Sequence, residues 1–65
     1  MGTYEKTYVV DGEQYELYAE SDTDEVGYEL FDVRGRKVTV EPLPRIPDQE
    51  AILGLVRRWR AVVGR

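Results

Sequence analysis

The sequence predicts an α+β fold: a four-stranded antiparallel β-meander made of two hairpins, followed by one C-terminal amphipathic helix packed on one sheet face. Three observations predict it. Asp11-Gly12 separates two runs rich in Tyr, Val and Glu, Arg34-Gly35 separates two more, and apolar residues recur at helical spacing from Ile52 to Val63. The 65 residues are read as a single domain, β-β-β-β-α over 1–65.

The first strand is expected over Thr3 to Val10, whose Tyr, Thr and Val content suits a pleated, half-buried surface. Asp-Gly is a strong two-residue turn signal, because a type I′ turn needs positive φ at both central residues. The return strand, Glu13 to Glu20, then pairs Val10 with Glu13, Tyr8 with Tyr15, Lys6 with Leu17 and Tyr4 with Ala19. This register collects Tyr4, Tyr8, Val10, Tyr15, Leu17 and Ala19 on one face.

Ser21 to Glu25 reads as an acidic loop, Val26 to Val33 as a third strand and Arg36 to Glu41 as a fourth. A two-residue loop at Arg34-Gly35 sets Asp32 against Lys37 and Phe31 against Val38. Phe31, Val33, Val38 and Val40 then share one face, with Tyr28 and Leu30 on the other. A sheet wetted on one side alternates cleanly, so this second hairpin is expected to carry a partner surface.

Pro42-Leu43-Pro44-Arg45-Ile46-Pro47 ends the strand as an extended connector, since proline lacks the ladder donor and restricts its predecessor. Pro47, Asp48 and Glu50 are placed in the first helical turn, and Arg57, Arg58 and Arg60 later, as the helix dipole favours. Ile52, Leu55, Val56, Trp59, Val62 and Val63 form one apolar stripe, and Gly64 is the stop.

Composition excludes much chemistry. There is no Cys and no His, so disulfides, thiolate sites, the common zinc sites and His-assisted nucleophiles are unavailable. Asp22-Thr23-Asp24-Glu25-Val26-Gly27 starts like a calcium loop, but Val26 and Val33 stand where oxygen ligands are required. The carboxylates assemble with no nucleophile or phosphate-loop motif. No catalytic residue, metal ligand, cofactor or small-molecule substrate is therefore expected, and the chain is not read as an enzyme. Its longest apolar stretch, Ala51 to Val56, is too short to cross a bilayer, and Met1 to Glu5 does not resemble a signal peptide, so a cytoplasmic location is expected.

Charge is divided along the chain. Residues 1–32 hold ten acids against Lys6, a net −9, and residues 33–65 hold eight bases against three acids, a net +5. The halves are expected to attract each other, within the fold or between copies. Two functional readings follow. The first is a small non-catalytic protein-interaction or regulatory module, self-associating as a homodimer or binding another protein through Phe31, Val33, Val38, Val40 and a Leu53 bracketed by Arg57 and Arg60. The alternative is a nucleic-acid-binding domain using Arg34, Arg36 and Lys37 at the hairpin tip and Arg58 on the helix; the acidic balance disfavours it. The five tyrosines and Phe31 make the sheet aromatic, but Glu5, Glu16, Glu20 and Glu29 among them would repel phosphates.

Val10 to Tyr18, followed by Gly27-Tyr28, resembles the MbtH-like proteins, small partners of adenylating enzymes in peptide synthesis. Gln14, Tyr15, Leu17 and the spacing from Tyr18 to Tyr28 carry the likeness. The family's two tryptophans are replaced by Tyr18 and Tyr28, the match covers under a third of the chain, and no family is assigned from it. Four strands followed by a helix is also similar, in element order alone, to the dimeric single-stranded-DNA-binding transcriptional coactivators.

Overall fold

The computed structural model describes residues 2–22 and 25–64, without the side chains of Asp22 and Glu25. Three strands, β1 (Thr3–Val10), β2 (Glu13–Asp22) and β3 (Glu25–Asp32), form one antiparallel sheet in the order β1-β2-β3, and a single helix, α1 (Gln49–Val63), follows. The acidic loop and the calcium-like stretch fall partly on Thr23 and Asp24, which lie outside the described residues.

The first turn forms as its residues require. Asp11 and Gly12 both have positive φ, 53° and 83°, and Val10 pairs with Glu13, Tyr8 with Tyr15 and Lys6 with Leu17. Beyond Lys6 the register shifts at a bulge, so Tyr4 opposes Tyr18 rather than Ala19. A bulge inserts one unpaired residue and re-aims its neighbours. Tyr4 thus leaves the expected buried set and packs edge-on to Tyr18.

The expected fourth strand does not form, and the expected pair of hairpins becomes a three-stranded meander. After β3 the chain makes isolated bridges only, Phe31 with Lys37 and Tyr28 with Leu43. The turn itself differs from the two-residue loop. Gly35 N–H donates to the Asp32 carbonyl at 3.0 Å, Asp32 N–H donates to the Arg36 carbonyl at 3.0 Å, and Gly35 has a φ of 84°. This is a three-residue loop closed by a left-handed glycine. The Asp32 carboxylate holds it, accepting from the Arg34 and Arg36 amides at 3.0 and 2.8 Å and from Arg36 Nε at 2.8 Å.

A one-residue change of register exchanges the faces. Val38 therefore sits beside Leu30, donating its N–H to the Leu30 carbonyl at 2.7 Å, and both are buried. Phe31 turns to the opposite face. Val38 and Phe31 therefore do not share a face as expected, and the four-strand order shared with the coactivators is absent too. Past Val38 the chain swings outward. Thr39 Oγ1 reaches Leu30 N–H at 3.4 Å, Val40 is 94% exposed, and pairing resumes only where Leu43 and Tyr28 exchange bonds of 2.8 and 2.9 Å. Pro42 lies over Gly27, so close that a Cβ at position 27 would stand 2.5 Å from Pro42 Cβ.

The core is Tyr8, Val10, Tyr15, Leu17, Leu30, Val38, Ile52 and Val56. Asp48 caps α1, its side chain accepting from Ala51 N–H at 2.8 Å, so the helix begins one residue after Asp48 and Pro47 precedes the cap. Gly64 ends the helix, donating to the Arg60 carbonyl at 2.7 Å. Tyr8 Oη donates to the Pro47 carbonyl at 2.6 Å and Gln49 Nε2 donates to the Val9 carbonyl at 2.8 Å, fixing the start of the helix to β1. Among the described residues no helix is long and apolar enough to cross a membrane.

Candidate protein-interaction site

The two charged halves meet first at the end of the helix. Arg60 reaches Asp11 at 2.9 Å, Glu13 at 2.6 Å, the Val10 carbonyl at 3.2 Å and Tyr15 Oη at 2.9 Å. Arg57 joins Asp11 at 3.2 Å. The hydrogen bond from Arg57 is the main reason the Asp11 carboxyl titrates below its ordinary range; its partial burial opposes this, while the charge of Arg57 and the contacts from Arg60 add to it. Arg57 and Arg60 therefore clamp the β1–β2 turn, and Leu53 between them is half-buried and packs against the core.

The second meeting is at the Asp32 turn. Burial pushes the Asp32 carboxyl up, but the amides of Arg36 and Arg34 and the Arg36 side chain together outweigh it, so the carboxyl lies below its ordinary range. Arg36 also covers the Trp59 ring at 5.0 Å, and Trp59 stands edge-on to Tyr15 at 6.4 Å. Lys37 meets Glu29 at 3.5 Å. Of the four bases expected at a nucleic-acid surface, Arg36 and Lys37 thus hold carboxylates, while Arg34 and Arg58 are exposed with no carboxylate partner among the described residues. A cleft of about 570 Å³ between the two clusters has Asp11, Glu13 and Asp32 in its walls beside Arg34, Arg36 and Arg60. Its cations are largely neutralised, which leaves little field for a phosphate chain.

The apolar residues expected at a partner surface are dispersed by the corrected register. Val38 is in the core, Phe31 lies half-buried on the helix-free face, Val33 is 71% exposed in the turn and Val40 stands out beside α1. Val40 opens onto a groove of about 450 Å³ between the outward-swinging segment and the helix, with Leu43, Leu55, Trp59 and Val62 as apolar walls and Glu41 and Arg58 at its margins. The helix stripe explains the groove. Ile52 and Val56 are fully buried, Leu55 and Trp59 only partly, and Val62 is 77% exposed, so the stripe outruns the sheet that covers it. Leu55, Trp59 and Val62 belong to the apolar stripe expected of the helix and are not among the residues expected at a partner surface. Their surplus was legible in principle, because a six-residue stripe is longer than one sheet face of this size covers.

Compared with protein-family models, curated proteins and solved structures, the chain matches none. No family match therefore supports the resemblance of Val10 to Tyr18 and Gly27-Tyr28 to the MbtH-like proteins.

Proposed function

We propose that this chain is a small non-catalytic protein-interaction module that pairs with a second copy of itself through the groove between α1 and residues 38–43. The carrying observation is the uncovered end of the helix stripe, with Val62 at 77% and Val40 at 94% exposure on the two walls of one apolar groove. A chain of this length buries a modest fraction of its surface alone, and without disulfide or metal it gains most from association. The margins of the groove support a copy as occupant. Glu41 and Arg58 line it together, and neither has an ion-pair partner among the described residues. About a two-fold axis the same patch faces itself, so the Glu41 carboxylate of each copy is offered the other's Arg58. The absence of Cys suits a reducing compartment, and the reading places the dimer in the cytoplasm.

Sedimentation equilibrium of the full chain tests this. The expected mass is twice 7.5 kDa, falling to that of one chain in Val62→Asp and Val40→Asp. Glu41→Arg and Arg58→Glu should each weaken the dimer, and the double exchange should restore it. A wild-type monomer at high concentration, or a dimer indifferent to Val62→Asp, would overturn the proposal.

A further inference from the structure

The helix lies on one face of the sheet; the other face carries a second, differently built surface. Tyr4, Tyr18 and Phe31 form a ladder of rings across all three strands, edge to face at centroid distances of 6.0 and 5.6 Å. Tyr18 and Phe31 are half-buried, Tyr4 is 51% exposed, and α1 lies on the far side of the sheet. A depression of about 380 Å³ opens over Tyr18 and Phe31, with Glu16 and Glu20 in its walls.

The charges around the two sets of rings differ. On the helix side Lys6 lies over Tyr8 at 4.8 Å, Arg36 over Trp59 at 5.0 Å and Arg60 over Tyr15 at 5.7 Å. Among the described residues no cation lies over Tyr4, Tyr18 or Phe31. Their neighbours are carboxylates instead. Glu16 accepts from Tyr18 Oη at 3.1 Å, and neither Glu16 nor Glu20 has an ion-pair partner among the described residues. Lys37, which shares this face, is taken by Glu29.

Electron-rich ring faces attract cations, and two carboxylates beside them with no ion-pair partner among the described residues do the same. We infer that the helix-free face binds a basic segment of another protein. The spacing makes the segment specific. Glu16 and Glu20 are four residues apart on one strand with Tyr18 between them, so their Cα atoms are roughly 13 Å apart. An extended chain repeats its same-side residues with the same step. The matching segment therefore has the pattern basic-x-apolar-x-basic, its apolar side chain set on Tyr18 and Phe31 and its two cations on Glu16 and Glu20. Nucleic acid is disfavoured here by the same carboxylates.

The test uses the full chain and two synthetic peptides, Gly-Arg-Thr-Ile-Thr-Arg-Gly and its counterpart with Glu in place of both Arg, with amide shifts followed by NMR. The basic peptide should shift residues around Tyr4, Tyr18 and Phe31, with binding that weakens as salt rises, and the acidic peptide should not. Glu16→Gln with Glu20→Gln should weaken binding at least tenfold while the circular dichroism spectrum is unchanged. Tyr4→Ala, at an exposed ring, should weaken it in part. Val62→Asp should leave it unaltered, which separates this surface from the groove. Four results would overturn the inference: no shift on this face, equal binding by the double Gln variant, a single-stranded oligonucleotide displacing the peptide, or loss of self-association in the double Gln variant, which would make a second copy the occupant.

Discussion

The guanidinium of Arg60 lies 2.9 Å from the carboxylate of Asp11, tying the last turns of the helix to the tip of the first β-turn. The same side chain also bonds a backbone carbonyl, a second carboxylate and a phenol. Lysine has one ammonium and cannot span these partners together. Arg60→Lys and Arg60→Ala should both lower the melting temperature by a few degrees, Ala more than Lys. The deficit should shrink in high salt, since exposed ion pairs are screened. Trp59 is the sole tryptophan and lies against Tyr15, so its emission should shift in the same variants. Unchanged melting in Arg60→Ala would show that the clamp is not a structural element.

Acid should loosen the two turns that carboxylates hold. Asp11 and Asp32 both titrate below the ordinary range in the folded chain. Each therefore contributes stability in full above about pH 3.9, the unfolded value, and loses it as the pH falls through the lower folded value. Thermal midpoints measured from pH 6 to pH 2 should fall along this limb. Asp32→Asn keeps an oxygen for the two amides but cannot ionise, so its midpoint should start lower and fall less steeply. A slope equal to that of the wild type would remove Asp32 from the account.

Alkali should act at Tyr8. Burial, and secondarily the charge of Asp48, hold its phenol above the ordinary value. The neutral form is favoured by folding, so its contribution is intact below about pH 10 and is lost as pH rises through the raised value. Tyr8→Phe deletes the 2.6 Å bond to the Pro47 carbonyl. It should cost about 1 kcal/mol in urea denaturation at pH 7 and should flatten the alkaline limb. An unaltered urea midpoint would contradict this.

Gly27 is required by contact rather than by backbone conformation. Its missing Cβ makes room for the Pro42 ring, so Gly27→Ala should destabilise by about 1–3 kcal/mol through overpacking. Pro42→Gly removes the opposing carbon, and the double variant should recover part of the loss, a coupling expected of touching residues. Strict additivity in urea denaturation would show that the two do not interact.

Legibility in the sequence followed how local each determinant was. Asp11-Gly12 demands positive φ at both positions, and the turn and its nearest pairs follow from that alone. The helix stripe and the Gly64 stop are likewise local. The bulge that sends Tyr4 to the other face has no residue signature. The Asp32 turn has one: Asp at the first position and Gly at the fourth suit a type I turn, which makes Asp32-Val33-Arg34-Gly35 a longer loop than Arg34-Gly35 alone. That one residue decides whether Val38 packs beside Leu30 in the core or shares a face with Phe31. The ring ladder and the outer wall of the groove depend on which residues remain after packing, and no short window contains that information.

One consequence of the Thr39 contact concerns change over evolutionary time. A side-chain hydroxyl, not a backbone carbonyl, meets Leu30 N–H, and from there the chain leaves the sheet until Leu43 returns to Tyr28. The intervening stretch is moored at both ends by bonds that do not depend on its length. Residues can be inserted between positions 39 and 42 without disturbing any strand, at the small entropic cost of a longer loop. The wall of the groove is thus its most readily remodelled part, able to change in length and side chains while the scaffold stays constant.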